Sequence, residues 1–83
     1  MYSLTLSPRA RKALRKISTL YKQEVVNAIE ELKEDPFSGK ALRDDLTKRY
    51  SYKIGVYRII YTINQKDKLV SIISAGHRAM VYE

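Results

Sequence analysis

The chain of 83 residues has no cysteine and no tryptophan, one histidine, one phenylalanine, two prolines and three glycines. Without cysteine there is no disulfide staple, no thiolate metal site and no thiol nucleophile. A single histidine excludes a multi-histidine metal centre, so no metal is expected in its chemistry. The longest apolar runs fall far short of the ~20 residues that a membrane-spanning helix needs. The opening Met1-Tyr-Ser-Leu-Thr-Leu6 is too short for the apolar core of a secretory signal and is followed by charge. A cytoplasmic, soluble protein is expected. No repeat, low-complexity tract or linker interrupts the chain, and the length suits one domain, residues 1–83. A chain this small buries only about 60–65% of its unfolded surface, so modest stability is expected.

Acidic residues are also scarce. Nine of them stand against sixteen lysines and arginines, leaving a net charge of +7 and a pI near 9.8. The excess is clustered. Residues 8–16 hold Arg9, Arg11, Lys12, Arg15 and Lys16 without a single acid. Residues 17–35 are net acidic. Residues 36–58 are basic again, through Lys40, Arg43, Lys48, Arg49, Lys53 and Arg58 against Asp44 and Asp45. Clustered positive charge of this kind favours a polyanionic partner, nucleic acid above all, and a second, acidic protein that masks it.

The pattern of side chains predicts an α+β domain. Tyr2-Ser-Leu-Thr-Leu6 alternates as a half-buried strand does. Ser7-Pro8 starts a helix, with serine as cap and proline at the first helical position. Its apolar stripe is Ala10, Ala13, Leu14 and Ile17, and the five cations lie around the other faces. Ser18-Thr19 interrupts, with Thr19 as candidate cap of a second helix. That helix is striped by Val25, Ala28, Ile29 and Leu32, extended by Leu20 or Tyr21, and must end near Asp35 ahead of Pro36. Residues 36–47 read as a loop. Arg49–Ile54, Val56–Asn64 and Leu69–His77 read as strands, divided by a tight turn or bulge at Gly55 and a polar hairpin turn at 65–68. The order β-α-α-β-β-β predicts a small, mainly antiparallel sheet with both helices on one face and the other face open.

On that open face Lys53 and Arg58, with Arg78 beyond, punctuate otherwise apolar strands, and Tyr82 closes the set. Cations and a phenol together suit an anionic, aromatic ligand such as RNA. Arg58 is the most telling, because a charge inside an apolar strand must find a partner or a cleft. Tyr50, Tyr52, Tyr57 and Tyr61 read mainly as packing, though one of them is placed to stack a base. The whole pattern resembles the RelE group of the RelE/ParE toxin superfamily, small bacterial and archaeal toxins that cleave mRNA on the ribosome. The residues that carry the resemblance are Leu42-Arg43, Tyr50, Lys53, Tyr57-Arg-Ile-Ile-Tyr61, Gly76-His77-Arg78 and Val81-Tyr82. Some relatives have a second lysine where this chain has Ser51, a gap that Lys48 or Arg49 is near enough to fill.

The resemblance implies a RelE-like fold, a metal-independent endoribonuclease that needs no cofactor, and a catalytic set of Lys53, Arg58, Arg78 and Tyr82. It also implies a cognate RelB-like antitoxin whose segment wraps the basic face. Ribosomal RNA and mRNA would engage Arg9, Arg11, Lys12, Arg15, Lys16, Arg43, Lys48, Arg49 and His77. RNA supplies its own nucleophile in the 2′-hydroxyl, so the protein must align it, take its proton and stabilise charge on the phosphate. Lys53 and Arg58 would hold the scissile phosphate, Arg78 the leaving 5′-oxygen, and Tyr82 would accept the proton. A free tyrosine ionises near pH 10, so Arg78 and Lys53 would have to favour its phenolate. Histidine in general ionises in a more convenient range, but strand alternation sets His77 on the opposite face from Arg78. Two other readings compete: a ParE-like inhibitor of DNA gyrase on the same fold, and a nucleic-acid-binding module without catalysis.

Overall fold

The computed structural model describes residues 1–41 and 48–77. Strand β1 is Ser3–Leu6, helix α1 Pro8–Arg15, helix α2 Lys22–Glu34, and strands β2 to β5 are Lys40–Ala41, Arg49–Ile54, Tyr57–Asn64 and Leu69–His77. Short 3-10 turns at Thr19–Tyr21 and Pro36–Ser38 precede α2 and β2. The five strands form one sheet in the order β1-β5-β4-β3-β2. All neighbours are antiparallel except β1, which runs parallel to β5. The two helices lie on one face, so the expected α+β architecture is present, as a mixed rather than purely antiparallel sheet.

Local chemistry accounts for the helices. Ser7 Oγ accepts the Ala10 N–H at 3.0 Å, which satisfies a donor that the first turn leaves free, and Pro8 follows where its missing N–H costs nothing. At the other end Lys22 Nζ donates to the Leu14 and Arg15 carbonyls at 3.0 and 3.4 Å, capping α1 from outside. Thr19 is not the cap of α2. Ser18 caps the 3-10 turn through Leu20 N–H, Thr19 lies inside that turn, and α2 starts at Lys22 without a side-chain cap. Of the two candidates for extending the stripe, Tyr21 packs on the core while Leu20 is 84% exposed. The chain leaves α2 at Glu34, one residue before Asp35-Pro36, because proline excludes helical geometry from its predecessor.

The core lies between the layers. Ala10, Leu14, Ile17, Val25, Ala28 and Leu32 from the helices meet Ile54, Ile59, Tyr61, Val70 and Ile72 from the sheet. Gly55, with φ of 56°, opens a two-residue turn where a positive φ suits the hairpin twist. A Cβ there would also overlap the Tyr21 ring. That turn pairs Ile54 with Tyr57, and so Lys53 with Arg58. In β5 the pairing slips by one: Tyr61 faces Ile72 while Ile60 faces Ser74, leaving Ile73 as a bulge. Ser7 holds the bulge, its N–H donating to the Ile72 carbonyl and its hydroxyl to the Ile73 carbonyl, both at 2.9 Å. The bulge reverses the parity of β5, so Ala75 rather than Ser74 faces the helices.

Strand β2 falls inside the stretch expected to be loop. It pairs Lys40 with Ser51 and Ala41 with Tyr50, and one buried side chain makes that approach possible. Tyr61 is completely buried, stacks on Tyr50 and donates its hydroxyl to the Pro36 carbonyl at 2.7 Å. Gly39 lies directly over it, where a Cβ would overlap Tyr61 Oη and come within 2.9 Å of the Ser51 carbonyl oxygen. Gly39→Ala is therefore expected to lose about 1–3 kcal/mol of stability through overpacking, read as a lower urea midpoint at unchanged slope. A midpoint equal to that of the wild type would show that this segment yields freely.

Candidate functional site

Alternation divides the central strands cleanly. Tyr50, Tyr52 and Ile54 of β3, with Tyr57, Ile59 and Tyr61 of β4, face the helices. Ser51 and Lys53, opposite Ile60 and Arg58 respectively, face the other way, and β5 places Ser74 and Gly76 beside them. That face is not bare: Ser51 and Ile60 are each 3% exposed and form a buried floor. Lys53 stands above this floor directly opposite Arg58, and Arg58 in turn lies opposite Gly76, which offers no side chain to crowd the guanidinium. Arg58 Nη1 donates to Ser51 Oγ at 3.4 Å, a contact that aims the guanidinium along β3.

Directly opposite residues on an antiparallel pair have Cβ atoms about 4.5–5.5 Å apart, and like charges placed so destabilise the sheet. Lys53 and Arg58 are paired so at a groove of ≈ 480 Å³ lined by Glu31, Ser38, Gly39, Lys40, Ser51, Tyr52, Lys53 and Arg58. Lysine, arginine and serine donors concentrated on one side of a groove are the equipment of an anion site, with arginine able to bind a phosphate in bidentate fashion. The other wall is acidic but engaged, because the Tyr52 hydroxyl donates to Glu31 Oε2. That hydrogen bond, then burial and the charge of Glu31, push the Tyr52 phenol up to about 12. Burial likewise raises Tyr61 to about 12, only partly opposed by the Gly39 backbone. Neither tyrosine is prepared to act as a base.

The other residues marked by sequence are spread over the molecule. His77 pairs with Tyr57 on the helical side of the sheet, their rings edge to face at 6.4 Å, so alternation separates it from Arg58. Arg9, Arg11, Lys12, Arg15 and Lys16 are all exposed on or just after α1, in the helical layer and across the sheet from the groove. Lys12 and Arg15 occupy the last turn of α1, where positive charge also complements the helix dipole. Lys48 and Arg49 lie at the far end of β3, beside a separate cavity of ≈ 660 Å³ with Phe37, Tyr50 and Ile63 among its walls. By alternation Arg49 shares a face with Ser51, two residues further along β3. Arg43, Arg78 and Tyr82 lie outside the described residues. Sequence reading passed over Ser51 as an acceptor for Arg58, and over the Glu31–Tyr52 wall. Only the buried environment of Ser51 distinguishes it from an ordinary exposed strand serine.

Comparison with known proteins agrees with this architecture. Residues 4–82 match the family described as the ParE toxin of the type II toxin–antitoxin system parDE. The chain belongs to that family: it is a type II toxin of the RelE/ParE superfamily. It is 32% identical over 83 residues to toxin RelG of Mycobacterium tuberculosis, covering 98% of this chain and 95% of the relative. In three dimensions it is similar to a chain of the toxin–antitoxin complex RelBE2 of Mycobacterium tuberculosis, with a TM-score of 0.80, 32% identity and coverage of 93% and 98% of the two chains. It is equally similar in fold to the isolated RelE toxin of E. coli, at a TM-score of 0.80, 28% identity and coverage of 99% and 92%.

Because both raised tyrosines keep their protons longer in the folded state, they stabilise fully below pH 10, and that contribution is lost as pH rises toward 12. Tyr61→Phe is expected to cost about 1–3 kcal/mol near neutrality, by stranding the Pro36 carbonyl. The gap between variant and wild type should then narrow between pH 10 and 11.5 in urea titrations. A gap that stays constant with pH would deny the linkage.

Proposed function

We propose that this toxin is a ribosome-dependent endoribonuclease that cleaves mRNA by attack of a 2′-hydroxyl on the adjacent phosphate. The observation that carries the reading is the Lys53–Arg58 pair: two cations set opposite each other over a buried floor, with Ser51 aiming one of them. Two cations placed so suit a phosphate, and all the more the dianionic phosphorane-like transition state. Arg58 binds the scissile phosphate bidentately and Lys53 neutralises its second non-bridging oxygen. Arg78 stabilises the departing 5′-oxygen. Tyr82 takes the 2′-hydroxyl proton, its phenolate favoured by the neighbouring cations. The α1 cations, with Arg43, Lys48 and Arg49, bind ribosomal RNA phosphates, a contact that weakens steeply with salt. The family membership supports a small antitoxin of the RelB type as partner, whose acidic segment covers the basic surface and finds it quickly by complementary charge.

Induced expression beside an Arg58→Ala/Arg78→Ala double mutant tests the reading. Growth arrest is expected, with transcripts cut inside translated frames, and neither effect in the mutant. On programmed ribosomes, Lys53→Ala and Arg58→Ala should each reduce the cleavage rate by about 10²–10³, as loss of a transition-state donor does. Tyr82→Phe should lose cleavage where His77→Gln keeps it; the reverse result would transfer the proton to His77. Arrest with intact mRNA would favour the gyrase-inhibitor reading instead.

A further inference from the structure

The groove contains a third cation that the proposed chemistry has not used. We propose that Lys40 is an RNA-binding residue of this toxin, taking the phosphate next to the one held by Lys53 and Arg58; the inference rests on the ribonuclease reading. Lys40 pairs with Ser51, and residues directly opposite on neighbouring strands share a face. Lys40 therefore stands on the same side of the sheet as Lys53 and Arg58, and all three line one groove. Since Lys53 is two residues beyond Ser51, it is the diagonal neighbour of Lys40, about 7–8 Å away along the backbone and within reach of long side chains.

An exposed lysine is ordinarily a solvated surface charge. Lys40 differs in how its backbone is held. The Asp35 carboxylate accepts the Phe37 N–H at 3.1 Å and shapes the Pro36–Ser38 turn. The buried Tyr61 hydroxyl grips the Pro36 carbonyl, and Gly39 lies against that same hydroxyl with no room for a Cβ. Four consecutive residues are thus fixed before the side chain of Lys40 begins. The wall across from it is Glu31 with Tyr52, whose negative charge repels a phosphate and leaves the row Arg58, Lys53, Lys40 as the path for the chain. RNA would run across β4 and β3 and leave over β2 at the sheet edge.

Lysine on an edge strand also discourages another strand from adding there. Substitutions separate the two roles, because glutamate blocks an edge as well as lysine does but repels phosphate. The experiment compares initial cleavage rates of the full chain on mRNA-programmed ribosomes for wild type, Lys40→Gln, Lys40→Arg, Lys40→Glu and Lys66→Gln. Lys66 is exposed in the β4–β5 turn and loses the same charge far from the groove. Lys40→Gln is expected to cut about tenfold more slowly, the worth of one charge-assisted hydrogen bond. Lys40→Glu should be slower still, Lys40→Arg close to wild type, and Lys66→Gln unchanged, with urea midpoints alike throughout. Binding to a 2′-O-methyl RNA should show a log–log salt slope smaller by about 0.7 in Lys40→Gln. If Lys40→Gln matches Lys66→Gln while Lys53→Ala, assayed beside them, is impaired, the role of Lys40 is overturned and the ribonuclease reading stands. If the wild type cuts nothing, that reading falls and takes this inference with it.

Discussion

One hydrogen bond organises the working half of this protein: the hydroxyl of Tyr61, completely buried in the central region of the sheet, to the carbonyl of Pro36. A phenol taken out of water must find an acceptor, and here the acceptor lies in the segment that follows α2. That single requirement draws residues 36–41 onto the sheet, demands glycine at position 39 and creates the two-residue strand β2. Stacked on Tyr50 and flanked by Ile59, Tyr61 also joins the helical layer to β3 and β4. The anchorage of one rim of the groove comes from this side chain, packed on the opposite face of the sheet from the groove floor.

Above that floor the structure tolerates what most sheets avoid. Lys53 and Arg58 face each other across β3 and β4, and Ser51, two residues along β3 on the same face, is buried with its hydroxyl accepting from the guanidinium. Function and folding are thereby assigned to opposite sides of the same strands: tyrosine and isoleucine inward, lysine, arginine and serine outward.

Much of this was legible from the residues. The boundaries of β3 and β5 agree to the residue, because Gly55 and the polar stretch 65–68 punctuate runs rich in tyrosine, isoleucine and valine. Ser7-Pro8 marks the start of α1 for reasons that need no tertiary structure. The rest depended on contacts that leave little local trace. Two residues of β2 carry no periodicity, and their pairing with Ser51 and Tyr50 follows from a tyrosine far along the chain. Parallel β1 cannot be read from β1, whose alternation suits either direction. The bulge did leave a trace, in the adjacent Ile72 and Ile73 that break strict alternation, and its consequence for Gly76 and His77 appears only once β4 is alongside. In the site, Lys53 and Arg58 were identifiable as intruders among apolar neighbours. Lys40 was hidden in a stretch that reads as loop.

The parallel pairing of β1 with β5 bears on how the molecule comes into being. The Ser7 hydroxyl finds its carbonyl partner 66 residues later, at Ile73. During synthesis β1 therefore waits unpaired until β5 has been made. Closure over such a sequence distance is slow compared with the β3–β4 hairpin, which forms from neighbours. The two central strands that carry the cation pair are near neighbours in sequence, while the frame that stiffens them is complete only once β5 can pair with β1.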